Sequence, residues 1–250
     1  MSKASLDLVT AKSKRELLDY LRSQDITVPA RTQGRTKEHC ERRGAFRLLA
    51  TLATIDRLAY PASLNHRDKP DFLLLLAGHH VGLEFTEAVS EEEVEIDALA
   101  YRMNKSVLLF TDQFKKDMPK RTAAQRRQII ESPPRGGPGW GDDRGVPQWV
   151  EWMVSFIQKK TRDLAKPDFD KYAENWLLIY DNLPVPFAQD TPKRWTELGA
   201  KLHHYFTEVC HYSTLFVDSA DGLAELTSIG CTVQPIVNLW KQGEGSWSPL

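Results

Sequence analysis

The chain has 250 residues, 41% of them hydrophobic, with 33 Lys and Arg against 34 Asp and Glu for a net charge of −1. That length supports one sizeable core without a covalent staple, and the charge balance excludes a histone-like polycation and an acidic disordered tail while leaving room for polarised patches. Three cysteines exclude a disulfide framework, no 18-residue apolar run occurs, and the polar opening MSKASLDLVTAKSKREL has no apolar signal core, so a soluble, cytoplasmic protein with no membrane partner is expected.

Leu17, Leu18 and Leu21 predict a short helix over 11–23, within a helical N-terminal extension of about 1–34. A second helix is predicted over 36–58, with the stripe Ala45, Leu48, Leu49, Leu52 and Ile55. Pro61 and the polar run 65–70 read as a loop. DFLLLLAGHHVGLEFTEAV then reads as a β-hairpin around Gly78-His79-His80, its first strand fully buried. A helix follows over 91–114. Residues 131–147 hold four Pro and five Gly, which marks a surface loop or insertion. A helix over 147–164, a buried strand over 176–180, a helix over 191–211 opened by Thr191-Pro192, and strands near 214–217 and 233–237 complete the chain. The order predicts an α/β fold with a mixed sheet.

The chemistry-bearing stretch is Pro70-Asp71 followed by Glu84-Phe85-Thr86. Asp71 opens the first hairpin strand and Glu84 lies late in the second, so a tight hairpin sets them side by side. Two adjacent carboxylates repel, and a divalent cation is the usual compensation; Mg²⁺ takes one or two carboxylates and completes its shell with water and phosphate oxygens. Such an ion activates water and neutralises charge building on phosphate. A third carboxylate lies upstream. Glu38 and Glu41 share a helix face, and Glu41 continues the stripe of Ala45, Leu48, Leu52 and Ile55.

These residues together resemble the PD-(D/E)xK nuclease superfamily: a helix Glu (Glu41, or Glu38), Pro70-Asp71 at the start of a hairpin, and Glu84-x-Thr86, over roughly 36–110 and extending to the 176–180 strand. The resemblance implies one nuclease-like domain over 1–250, with a restriction-endonuclease-like core of mixed sheet flanked by helices. It implies hydrolysis of DNA, less often RNA, by Mg²⁺- or Mn²⁺-activated water. The metal would be held by Asp71, Glu84 and the backbone carbonyl of Phe85. The chain departs from the family at Thr86, where the family has lysine. In the superfamily that lysine can migrate to a neighbouring helix, and two lysines sit on apolar stripes here. Lys105 follows Val94, Ala98 and Tyr101; Lys160 follows Trp149, Met153 and Phe156. Lys160 is preferred, because Phe156-Ile157-x-x-Lys160 with Tyr172 and the strand WLLIYD resembles a recurring arrangement in members with Glu-x-Thr.

Basic runs supply candidate contacts to nucleic acid: Arg35, Arg42 and Arg43 in 31–47, and Lys115, Lys116, Arg126 and Arg127 in 115–127. Trp140 and Trp149 are candidates for base stacking. A homodimer is admitted as a further partner. The alternative reading is a catalytically degenerate nucleic-acid-binding or assembly protein on the same scaffold, which Thr86 supports. Zinc is set aside: His79-His80, His203-His204 and Cys210-His211 are adjacent pairs, and no CxxC or HxxxH occurs. No GxGxxG, P-loop or GxSxG sequence is present.

Overall fold

The computed structural model of the chain describes residues 6–107, 119–132, 145–183, 191–208, 211–220 and 222–240. The strands are β1 (Leu6–Ala11), β2 (Ala62–His66), β3 (Phe72–Leu76), β4 (His79–Ala88), β5 (Glu174–Asp181), β6 (Thr214–Ser219), β7 (Gly222–Thr227) and β8 (Gly230–Gln234). The helices are α1 (Lys14–Ser23), α2 (Lys37–Thr54), α3 (Glu91–Arg102), α4 (Ala123–Glu131), α5 (Gly145–Leu164) and α6 (Thr191–Glu208). All eight strands form one sheet in chain order. β4, β5 and β6 are parallel, and the other neighbours are antiparallel. The expected α/β fold with a mixed sheet flanked by helices is found.

Strand alternation divides the core. Leu83 and Phe85 of β4, with Trp176 and Leu178 of β5, pack with Ala45, Leu48, Leu49 and Leu52 of α2. Leu177 and Ile179 point the other way, onto Trp149, Met153 and Ile157 of α5 and Leu198 and Leu202 of α6. β5 is apolar on both faces because helices cover both. A third, small cluster of Ile96, Ala100 and Ile130 joins α3 to α4.

The hairpin turn sets the site. Ala77 and Gly78 both have positive φ, 48° and 91°, as a two-residue turn of the type that matches strand twist requires. It pairs Leu76 with His79 and, at the far end, Phe72 with Leu83. One step beyond, Asp71 meets Glu84. α2 lies close against β4: a Cβ on Gly44 would come within 2.5 Å of the Phe85 ring.

Several predicted boundaries need correction. The N-terminal extension is not helical throughout. β1 is a sheet-edge strand paired with β2 from Leu6↔His66 to Ala11↔Ala62, with an irregularity between Asp7 and Val9. β2 occupies part of the expected 61–70 loop, and β7 has no counterpart among the predicted strands. LDLVTA and ASLNH alternate weakly because polar residues interrupt them, so periodicity hides both. β8 begins at Gly230, earlier than 233. The helix expected over 91–114 ends at Arg102, and Asn104 with φ 53° turns the chain. Residues 108–114 of that expected helix, most of the Gly/Pro stretch 131–147, Trp140 and Cys210 lie outside the described residues.

Candidate active site

Glu41, Asp71 and Glu84 are all buried, and they converge at one end of the β3–β4 hairpin. Glu41 opens the buried stripe of α2 that continues as Ala45, Leu48 and Leu52. α2 is started by a reciprocal cap. Thr36 Oγ1 accepts the His39 amide at 3.4 Å, and His39 Nδ1 accepts the Thr36 amide at 3.0 Å. The cap fixes the first turn, and with it the height of Glu41 above the sheet.

Asp71 and Glu84 are locked to the backbone and to each other's strand. The Phe85 amide donates to Asp71 Oδ2 at 2.8 Å, and the Asp71 amide donates to Glu84 Oε2 at 3.2 Å. Each carboxylate thus keeps one oxygen on the protein frame. The other oxygens face lysines. Lys160 Nζ donates to Glu84 Oε1 at 2.6 Å, and Lys37 Nζ donates to Asp71 Oδ1 at 2.8 Å. The same Lys37 ammonium lies 2.6 Å from Glu41 Oε1. That ammonium is the close cationic partner of this buried oxygen. His66 Nε2 lies 3.1 Å from Glu41 Oε2.

Lys160 is held firmly. It ends the stripe Trp149, Met153, Ile157 on α5, and its side chain is 16% exposed. The Tyr212 hydroxyl donates to the Lys160 carbonyl at 3.3 Å, and the Tyr205 hydroxyl donates to the Ile157 carbonyl at 3.3 Å and to Thr161 Oγ1. These bonds fix the α5 register opposite β4.

The electrostatics reflect crowding of like charge. Burial, and next the Asp71 carboxylate, push Glu84 up to about 7 against the opposing pull of Lys160. Burial and Asp71 also raise Glu41, opposed by Lys37 and His66. Burial of Lys37 works to lower its pKa, but Asp71 and Glu41 outweigh it and hold the ammonium above its ordinary range.

The other sequence candidates fall in different places. Glu38 is exposed at the first turn of α2. Thr86 follows Glu84 on the same face of β4, half-buried beside Ile179. Lys105 lies past the end of α3, exposed and off any helical stripe. Of the two lysines considered, Lys160 is the one beside the carboxylates. The Phe85 backbone is part of the site through its amide.

The expected basic rim needs revision. Arg35 is turned inward, with Nη2 2.8 Å from Glu87 Oε2 and Nε donating to Cys40 Sγ. Arg42 donates to the Asp25 carbonyl at 2.5 Å. Arg43 is half-buried within electrostatic reach of Tyr180 and Asp218. Arg126 pairs with Glu95 at 2.6 Å. Arg127 is exposed on α4, and Lys115 and Lys116 lie outside the described residues. Trp149 is a core residue whose Nε1 donates to Asp181 Oδ2 at 2.9 Å. Cations flanking Asp71 come instead from the β2–β3 loop. Arg67, whose amide donates to the Asp71 carbonyl, pairs with Asp170 at 3.1 Å, and Lys69 pairs with Asp168 at 2.5 Å.

Sequence reasoning missed Lys37 and His66. Lys37 had a signal, since it lies four residues before Glu41 on one helix face. His66 had none, because it reaches Glu41 only through the pairing of β2 into the sheet.

Among the described residues no three Asp, Glu, His or Cys side chains are gathered closely enough to form a ligand shell by themselves. The donor set still suits a hard divalent cation, which needs one or two carboxylates. The carboxylate oxygens of buried Glu41 and Asp71, which share the ammonium of exposed Lys37 as counter-ion, are ones such an ion would satisfy. No helix among the described residues is long and apolar enough to cross a membrane. The chain matches no protein-family model, no curated protein and no solved structure.

Proposed function

We propose that the chain is a metal-dependent nuclease on a restriction-endonuclease-like core, hydrolysing phosphodiester bonds of DNA or RNA, with DNA the favoured substrate. The observation that carries this reading is the meeting of buried Asp71 and Glu84 with Lys160, whose ammonium lies 2.6 Å from Glu84 although Thr86 stands at the motif's lysine position.

Asp71 and Glu84, with the Phe85 carbonyl, would hold Mg²⁺ or Mn²⁺, which supplies Lewis acidity toward water and a phosphate oxygen. Lys160 brings a fixed positive charge to the same point. A cation preorganised in a water-poor site stabilises charge that grows on phosphate in the transition state. Glu84 Oε1 holds that ammonium in place, and the α5 stripe keeps its stem from wandering. Asp71, oriented by the Phe85 amide, is aligned before substrate arrives. Arg67 and Lys69, near Asp71 in the chain, would exchange Asp170 and Asp168 for a phosphate backbone.

A second reading is supported by the same lysines. Lys37 and Lys160 neutralise much of the carboxylate charge internally, as a nucleic-acid-binding or assembly protein with a degenerate site would require. Incubation with single-stranded, double-stranded and structured DNA and RNA, with and without Mg²⁺ or Mn²⁺, separates the two. Metal-dependent cleavage of at least one substrate is expected. Salt-sensitive binding with no cleavage of any would establish the second reading and overturn the first.

A further inference from the structure

Lys37 and Lys160 both touch the carboxylates, yet they are built differently. Lys160 is threaded through an apolar stripe and is 16% exposed. Lys37 projects from the first turn of α2, is 68% exposed, and reaches the site only with its ammonium. That ammonium lies between two buried carboxylates, 2.6 Å from Glu41 Oε1 and 2.8 Å from Asp71 Oδ1. One exposed lysine thus serves as the shared counter-ion of two buried carboxylates.

The two carboxylates are fixed by α2 and by the hairpin, and the cation between them is tethered by a flexible stem in water. By leaving, the ammonium gives up both ion pairs, but its stem is already exposed and an ammonium is strongly hydrated in solvent. A hard divalent cation carries twice the charge of the ammonium and takes carboxylate oxygens as ligands. We infer that Lys37 is a displaceable internal counter-ion: it neutralises Glu41 and Asp71 in the metal-free protein, and a divalent cation takes its place between them. This rests on the reading of Asp71 as a metal ligand. Binding is then an exchange of one cation for another, and the lysine weakens the apparent affinity by competing for the same two oxygens.

The test is calorimetric titration of Mn²⁺ into the full chain at pH 8, comparing wild type, Lys37→Met, Asp71→Ala and Lys14→Met. Lys14 pairs with Asp56 and the Thr54 carbonyl near the far end of α2, so it controls for the loss of one positive charge elsewhere. Lys37→Met should bind Mn²⁺ at least about fivefold more tightly than wild type, the lower end of ordinary coupling between two binding events. Lys14→Met should stay within about twofold, since a distant exposed charge is screened. Asp71→Ala should bind none. Thermal melting gives a second readout: without metal Lys37→Met should melt below wild type, and Mn²⁺ should raise its Tm by more. Lys37→Gln, also neutral, should give the same order and serves if the Met variant does not fold. Equal affinity of wild type and Lys37→Met, with binding lost in Asp71→Ala, overturns the exchange and leaves the metal site standing. No binding by any of them overturns the metal site and the exchange with it.

Discussion

Lys160 Nζ sits 2.6 Å from Glu84 Oε1, so α5 delivers a cation to the strand position beside which Thr86 cannot supply one. If this cation stabilises the transition state, Lys160→Ala should reduce kcat by about a hundredfold or more, the usual scale for losing one such group. Mn²⁺ affinity should change little by comparison. Lys105→Ala should leave kcat unchanged, since Lys105 is exposed past the end of α3. Single-turnover rates at saturating metal decide the matter.

α3 carries a pH-sensitive pair away from these carboxylates. Glu93 is pushed up to about 7 by burial and by Asp97, and Asp97 is raised to about 6 by burial, in both cases against Arg31. Glu93 Oε2 is buried with no hydrogen bond. Both carboxyls are raised, so the folded chain holds protons that the unfolded chain has already released. Their contribution to stability is complete below the ordinary carboxylate range and is lost as pH rises through about 6 to 7. Glu93→Gln should therefore stabilise the chain by about 1 kcal/mol or more at pH 8, and by much less at pH 5. Urea unfolding at the two pH values measures it.

The Asp71–Glu84 neighbourhood could be read from the sequence because a hairpin has a single free variable, its turn, and Ala77-Gly78 fixes that. The Lys160 stripe could be read because a lysine following Trp149, Met153 and Phe156 breaks a helical pattern. Its partner could not, because a separation of 76 positions between Glu84 and Lys160 in the chain leaves the docking of α5 undetermined. β1 and β2 were hidden by polar residues in short strands at one side of the sheet. The basic runs misled because net charge in a segment says nothing of where side chains point. Arg35 and Arg126 turn toward acids of the same chain, Glu87 and Glu95.

Half-buried Arg47 and buried Asp218 clamp α2 to β6 through two bonds of 2.9 and 3.1 Å. Burial pushes Asp218 up while Arg47 opposes it. Removing one partner strands the other, so Arg47→Met should cost about 3–5 kcal/mol. Adding Asp218→Leu should restore most of that. Chemical denaturation of the single and double variants checks the order.

Gly44 lets α2 lie against β4, and an added methyl would meet the Phe85 ring at 2.5 Å. Overpacking of this kind costs about 1–3 kcal/mol, against a gain of about 1 kcal/mol in helix propensity. A net loss of up to about 2 kcal/mol is expected for Gly44→Ala. Displacement of α2 also carries Glu41 away from Asp71, so Mn²⁺ affinity should fall in the same variant. A Tm equal to wild type with unchanged affinity would contradict this packing argument.

The most direct measurement is the single-turnover cleavage rate of wild type and Asp71→Ala, in saturating Mn²⁺, on whichever nucleic acid the wild-type chain cuts. Asp71 aligns the site and would hold the ion, so a loss of more than about a thousandfold is expected, close to 4 kcal/mol of barrier, with the variant still folded by circular dichroism. Cleavage by folded Asp71→Ala within about tenfold of wild type, some 1.4 kcal/mol of barrier, would contradict the assignment of hydrolysis to this carboxylate cluster.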